Sequence, residues 1–179
     1  MIVPVDHTNK VDFNKTNQPF EVIGRLLPAF SNGAWTYTEL LYDVPEVKHY
    51  PEDDDNPEDY IGNPGKAAFF CYEEGACAGQ IKVWACWNGY AFIHDIAVTR
   101  DHRGQGIGTQ LLDAAQGWAK SKGLKGFMLE TQDVNLLACR FYAKRGFHIG
   151  GADTALYANF DNADEIAIFW YKKFDGASQ

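Results

Sequence analysis

The stretch "DHRGQGIGTQLL" (residues 101–112) places glycines at alternate positions, Gly104, Gly106 and Gly108, with Arg103 before them and a helical pattern after. Glycine is costly inside a regular element because it loses the most backbone freedom on folding. Its repetition here marks a backbone that bends sharply or is closely approached by something else. Upstream, the apolar run 90–98 ends at Val98 and reads as a strand. Downstream, Leu111, Leu112, Ala114, Ala115, Trp118 and Ala119 recur at the spacings of one helical face.

A strand, a glycine turn and a helix in succession leave unpaired amides at the helix start. Those donors and the helix dipole together favour a bound phosphate. The alternative is a tight connection that binds nothing. Two familiar phosphate motifs are excluded. A dinucleotide fingerprint needs glycine where Thr109 stands, and the Gly-Lys-Ser/Thr of a P-loop does not occur.

Working outward, three apolar runs (67–72, 76–87 and 90–98) are broken by "EEG" and "NG", which predicts an antiparallel meander of three strands. The helix after the glycines should end near Gly123. "GFMLETQD" (126–133) reads as a strand. "VNLLACRFYAKRG" reads as a helix with Asp133 as N-cap, Lys144 and Arg145 in its last turn and Gly146 as terminator. "FHIGGADTALYANF" reads as a short strand plus loop, and "DEIAIFWYKKF" (164–174) as a last strand. Toward the N-terminus, residues 1–18 read as an irregular lead-in and "PFEVIGRLLPAF" (19–30) as a strand. "AWTYTELLYD" (34–43) is aromatic and amphipathic, with its element type open. Residues 44–65, with four prolines, two glycines and seven carboxylates, read as a loop or partly disordered excursion. The expected class is α/β (an α+β mixed sheet). The meander is joined to a right-handed β-α-β crossover, with helices on both faces and all of 1–179 in one domain.

Composition supports a folded chain: 46% of its 179 residues are hydrophobic and 15% aromatic, ample for a core. No apolar run reaches the roughly 20 residues of a membrane span. The N-terminus lacks the basic and apolar blocks of a secretory signal, so the expected location is the cytoplasm. Cys71, Cys77, Cys86 and Cys139 have irregular spacing and are expected as free buried thiols, and the five histidines form no ligand pattern, so no metal is expected. A formal net charge of −8 argues against a phosphate-backbone partner. It suits either a cationic substrate or simple solubility.

Arg103-x-x-Gly106-x-Gly108 after "IHDIAV", followed by Asn135, Ala138, Phe141, Tyr142, Gly146 and Phe147 in the pattern N-x-x-A-x-x-F-Y-x-x-x-G-F, resembles the acetyl-CoA-binding core of the GNAT acyltransferases. Positions 135 and 142 are seven apart and share a helix face, with 138 and 139 between, while Leu137 and Phe141 can face the core. The segments "PFEVIGRLLPAF", "WTYTELLYD", "MLETQD", "ACRFYAKRGFHIGGADTALYANF" and "EIAIFWYKKF" extend the resemblance to the streptothricin acetyltransferases, over about residues 19–174.

This resemblance implies direct acetyl transfer from acetyl-CoA to an amine through a tetrahedral intermediate, with no metal and no cysteine nucleophile. It implies that Arg103, Gly104, Gln105, Gly106, Ile107, Gly108 and Thr109 form the pyrophosphate loop. Ile96, Ala97 and Val98 would meet the pantetheine arm, and Asn135 and Ala138 would contact the cofactor. Tyr142 would protonate the leaving thiolate. Glu130 and Asp95 are the candidate bases for the acceptor amine, with structural hydrogen bonding at strand ends as the alternative. The implied acceptor is the β-lysine amine of a streptothricin-type antibiotic, so the reaction would confer resistance. Trp35, Tyr37, Glu39, Asp95, Glu130, Asp153 and Tyr157 are candidates to hold that cation, and the aromatics among them could equally be core. The acidic stretch Glu52, Asp53, Asp54, Asp55, Glu58 and Asp59 is a solvated loop or a binding lid. Family members are often dimers, so a homodimer is allowed, although no residue names an interface. Other readings stay open: a different acceptor (polyamine, aminoglycoside or protein N-terminus), or a non-catalytic acyl-CoA sensor. No nucleic-acid or membrane partner is expected.

Overall fold

The computed structural model describes residues 1–51 and 54–174. Along them run nine strands and two α-helices: β1 Ile2–Pro4, β2 Phe20–Ser31, β3 Ala34–Lys48, β4 Lys66–Glu73, β5 Ala76–Ala85, β6 Tyr90–Val98, α1 Ile107–Ser121, β7 Gly126–Gln132, α2 Leu136–Lys144, β8 His148–Asp153 and β9 Ala167–Lys173. The chain forms two compact units. The first takes in Met1–Gln18, Tyr50–Phe127 and the chain from Lys173, and the second Pro19–His49 and Met128–Lys172.

In the first unit the strands lie in the order β1-β4-β5-β6. β4, β5 and β6 form the antiparallel meander expected from the alternation and the "EEG" and "NG" breaks. β1 is new. Ile2, Val3 and Pro4 pair with Cys71, Phe70 and Phe69, in a lead-in expected to be irregular. Three residues are too few to show a period-two pattern. α1 lies on β1, β4, β5 and β6. Its stripe Ile107, Leu111, Ala115 and Ala119 is buried, as are Phe70, Ile81, Val83 and Ile93 of the strands. A second cluster joins Val5, Tyr60, Ala68 and Phe70. Through Tyr60 it gives the 44–65 excursion a fixed footing, where a free loop was expected. That excursion also begins later than expected, because β3 runs to Lys48, and it contains a 3₁₀ turn at Pro57–Asp59.

In the second unit β2 and β3 form their own two-stranded antiparallel ribbon, running from Phe20↔Lys48 to Ser31↔Ala34. "AWTYTELLYD" is therefore a strand. Its outward side chains carry no alternation because most of β3 is exposed. The remaining strands lie in the order β7-β9-β8, with β8 antiparallel to β9. α2 packs against β2. Two expectations about α2 are corrected. Its N-cap is Asn135, whose side chain accepts from the Ala138 amide at 3.3 Å, while Asp133 lies in the turn before it. Its core face is Leu136, Cys139 and Tyr142, with Leu137 turned outward. The buried face is therefore displaced by one position from the one expected, with Leu136 rather than Leu137 turned inward. The last strand begins at Ala167, three residues later than expected.

Candidate active site

The glycine stretch sits where β6 hands over to α1. Gly104 and Gly106 have φ of 79° and 89°, a region closed to most side chains, and Gly106 is the N-cap of α1. No side chain caps this helix, and no acid occupies its first turn. Among the described residues the amides of Ile107 and Gly108 donate to no protein acceptor, whereas those of Thr109 and Gln110 close onto the Gly106 carbonyl. A Cβ built at Gly104 or Gly106 would meet nothing within 4 Å, so the space beside the loop is open. Arg103 Nε donates to the Val98 carbonyl at 3.0 Å, tying the loop to the end of β6. Gln105 Nε2 donates to the Asp101 carbonyl at 2.9 Å. The loop is braced from outside, with its amides left over.

Ile96, Ala97 and Val98 are half-buried at the end of β6, opposite Ile81, Gln80 and Gly79 of β5. Just before them the pairing slips: Lys82 faces Asp95 and Val83 faces Ile93, leaving His94 as the extra residue of a β-bulge. Nothing in "IHDIAV" signals it. Asp95 accepts from Gln80 Nε2 at 2.7 Å, and the fully buried Gln80 in turn accepts from the Asn14 amide. Asp95 is thus part of a structural polar network. The acidic stretch is tied down as well. Asp55 accepts from the Tyr60 hydroxyl at 2.7 Å and pairs with the buried Lys82 and with His94. Glu58 pairs with Lys10 and His7. Glu52 and Asp53 lie outside the described residues.

The second unit brings together Glu130, Asp153 and Tyr157. Glu130 projects from β7 and accepts a hydrogen bond from the Tyr157 hydroxyl. Burial pushes its carboxyl above the usual range, the Glu165 charge pushes the same way, and the Tyr157 hydrogen bond opposes both. Asp153 accepts from the amides of Ala155 and Leu156 at 2.7 and 3.0 Å. Lys48, unnoticed in the sequence, donates to both Glu165 and Gln132. Tyr142 is buried, its ring 5.5 Å from Phe147 and 6.3 Å from Trp170. Tyr37 meets the same Trp170, its ring also 6.3 Å away. Trp35 packs against Phe30 near the ribbon tip, the two rings tilted by 52°. Glu39 is already engaged. It accepts from Arg140 through both carboxylate oxygens, which holds its carboxyl below the usual range. Asn135 and Ala138 share the helix cap. The buried Asp133 accepts from Arg25 Nε at 2.7 Å and from the Ile166 amide at 2.9 Å, another pairing without a sequence signal.

All four cysteines are free, as expected, but only Cys71 and Cys139 are buried, while Cys77 and Cys86 are half-buried. Burial pushes the Cys139 thiol up to about 12 and the Cys77 thiol to about 11, which makes both poor nucleophiles. Among the described residues no group of His, Cys, Asp and Glu could hold a metal, and no helix is long and apolar enough to cross a membrane.

The model of the acetyltransferase (GNAT) family matches residues 34–147. Over 174 residues the chain is 56% identical to streptothricin acetyltransferase A of Bacillus subtilis (strain 168), covering 97% of this chain and 100% of that protein. It is 38% identical to streptothricin acetyltransferase of Escherichia coli over 74% of this chain and 73% of that one. Among solved structures, a Bacillus anthracis str. Ames protein described as a streptothricin acetyltransferase, in complex with acetyl coenzyme A, superposes with a TM-score of 0.90 at 33% identity, covering 97% of this chain and 99% of that one. Nourseothricin acetyltransferase superposes with a TM-score of 0.81 at 26% identity, covering 97% of each chain. The mixed α/β architecture is that of these acetyltransferases. Sharing a family model over more than half its length and close similarity over nearly all of it, the chain belongs to the acetyltransferase (GNAT) family of enzymes.

Proposed function

We propose that this enzyme transfers the acetyl group of acetyl-CoA to the β-lysine amine of streptothricin-type antibiotics and so confers resistance to them. The observation that carries the reading is the start of α1, with glycine as N-cap and no side-chain cap, within a chain alike over 97% of its length to a streptothricin acetyltransferase. The loop residues fit a diphosphate: two unpaired amides, no acid in the first turn and open space at Gly104 and Gly106. Arg103 shapes the loop through Val98. Ile96, Ala97 and Val98 would offer backbone groups to the pantetheine arm, and Asn135 and Ala138 would contact the cofactor.

Acetyl-CoA supplies the acetyl group already activated as a thioester. An alkylammonium, ordinarily with pKa near 10, must lose a proton before it can attack. Glu130 accepts that proton, for it is the carboxylate that burial has made more basic. Tyr142 returns a proton to the departing thiolate. Asp95, held by Gln80, supports the strand beside the loop. Tyr37, Trp35 and Glu39 of the ribbon contribute to the cationic acceptor's surroundings. The whole chain, 1–179, serves as one domain and works in the cytoplasm as a monomer or homodimer, with no nucleic-acid or membrane partner.

The test follows thiol release from acetyl-CoA with nourseothricin as acceptor, beside lysine and spermidine. Rapid release with nourseothricin alone is expected. Release with spermidine or lysine at equal rate would remove the antibiotic from the reading.

A further inference from the structure

Among the described residues the Tyr157 hydroxyl is the one hydrogen-bond donor to the Glu130 carboxylate. Tyr157 belongs to the irregular segment after β8, so its placement needs a cause. The cause begins at Asp153, the last residue of β8, held in register opposite Ala167 of β9. One oxygen of Asp153 accepts the amides of Ala155 and Leu156, at 2.7 and 3.0 Å. This is an Asx-type turn, in which the side chain does the work of a backbone carbonyl. The turn continues with the Ala158 amide donating to the Ala155 carbonyl and the Phe160 amide to the Tyr157 carbonyl. The sheet therefore holds Asp153, Asp153 holds the turn, and the turn delivers the phenol to β7.

We propose that Asp153 and Tyr157 are positioning residues for Glu130: Asp153 braces the turn, and the Tyr157 hydroxyl aims the carboxylate at the acceptor's proton. The proposal rests on the reading of Glu130 as base. In that step an ammonium N–H bond breaks, the proton passes to the carboxylate, and the electron pair stays on nitrogen. Asp153 acts through its capacity to accept hydrogen bonds, not through its charge. An acceptor-binding role would depend on the charge.

The groups around Glu130 give the pH behaviour its sign. Glu165, before β9, presents a like charge, itself paired with Lys48 from the end of β3. Asp133 of the same unit is paired with Arg25. Among the described residues Tyr157 alone donates a hydrogen bond to Glu130. Removing that donor favours the protonated carboxyl, so the acid limb of the rate profile moves to higher pH.

The experiment compares Asp153→Asn, Asp153→Ala, Tyr157→Phe and Glu130→Gln with the full-length enzyme, measuring kcat and KM for nourseothricin against pH. Amide hydrogen exchange at Ala155 and Leu156 is followed in parallel. Asp153→Asn should retain kcat and slow exchange, because the amide oxygen still accepts both bonds. Asp153→Ala should speed exchange and lower kcat about tenfold, part of the roughly 10²–10⁴ that a base supplies. Its acid limb should move up in pH, and that of Tyr157→Phe should move with it. Equal losses in Asp153→Asn and Asp153→Ala, appearing in KM for nourseothricin, would overturn the proposal in favour of a charge contact. So would unchanged exchange in Asp153→Ala, or an unmoved limb in Tyr157→Phe. Full turnover by Glu130→Gln would overturn the base reading and the aiming role together, and the exchange data would then still decide the brace.

Discussion

Gly79 of β5 lies so close beneath Ile107 of α1 that a Cβ built there would stand 2.7 Å from Ile107 Cγ2 and 3.0 Å from Leu111 Cδ1. This contact sets how near the start of α1 comes to the sheet, and hence where the loop amides point. Gly79→Val is expected to destabilise the enzyme by about 1–3 kcal/mol through overpacking. It should also weaken acetyl-CoA binding, because the first turn of α1 must lift. Thermal unfolding and calorimetric titration with acetyl-CoA would check both. A variant of normal affinity would show that the loop does not depend on this packing.

Gly106 holds φ at 89° with open space around its missing Cβ. Gly106→Ala should cost about 1–2 kcal/mol of backbone strain. The added methyl group stands in the space beside the loop, so acetyl-CoA affinity should fall by about tenfold or more, 1.4 kcal/mol for each tenfold. The expected signature is a binding loss larger than the stability loss. Equal losses would mean that the loop is merely a turn.

Tyr142 packs its ring among Phe141, Phe147 and Trp170, and phenylalanine fits the same space. Tyr142→Phe should therefore stay folded and keep its acetyl-CoA affinity while kcat falls by about 10²–10⁴, the usual contribution of a general acid. Single-turnover thiol release would report it. Undiminished release would take Tyr142 out of the chemistry.

Burial first, and then the charge of Glu165, raise the Glu130 carboxyl above its ordinary 4.5. The folded state therefore holds this proton more tightly than the unfolded chain. The stabilising contribution is complete below about the unfolded value and is lost as pH rises through the raised folded value. Urea midpoints measured across that window should decline less steeply with pH in Glu130→Gln than in the parent enzyme. Parallel declines would place the pH dependence elsewhere.

Much of the first unit was legible in the sequence because its signals are local. Apolar runs broken by "EEG" and "NG" become β4, β5 and β6, and the stripe from Leu111 to Ala119 becomes the buried face of α1. Signals failed where the pattern was too short or carried no contrast. β1 has three residues, and β3 is exposed over most of its length, so neither shows alternation. The face of α2 was misread by one position: Leu136 and Leu137 are equally apolar, so the pattern does not say which of them, about 100° apart around the helix, turns inward.

The candidate site divides in the same way. The glycine turn before α1, the place of Tyr142 on α2 and the free cysteines are legible in the sequence, since motif spacing and residue chemistry are written along the chain. The partnerships belong to the tertiary structure. Arg25 meets Asp133 across 108 positions and Arg140 meets Glu39 across 101. His94 slips out of register with β5, and Tyr157 reaches Glu130 only because Asp153 folds the turn between β8 and β9. Such pairings obey no sequence period. Each is set only when folding brings distant segments together, and a fully buried charge such as Asp133 must find a partner there.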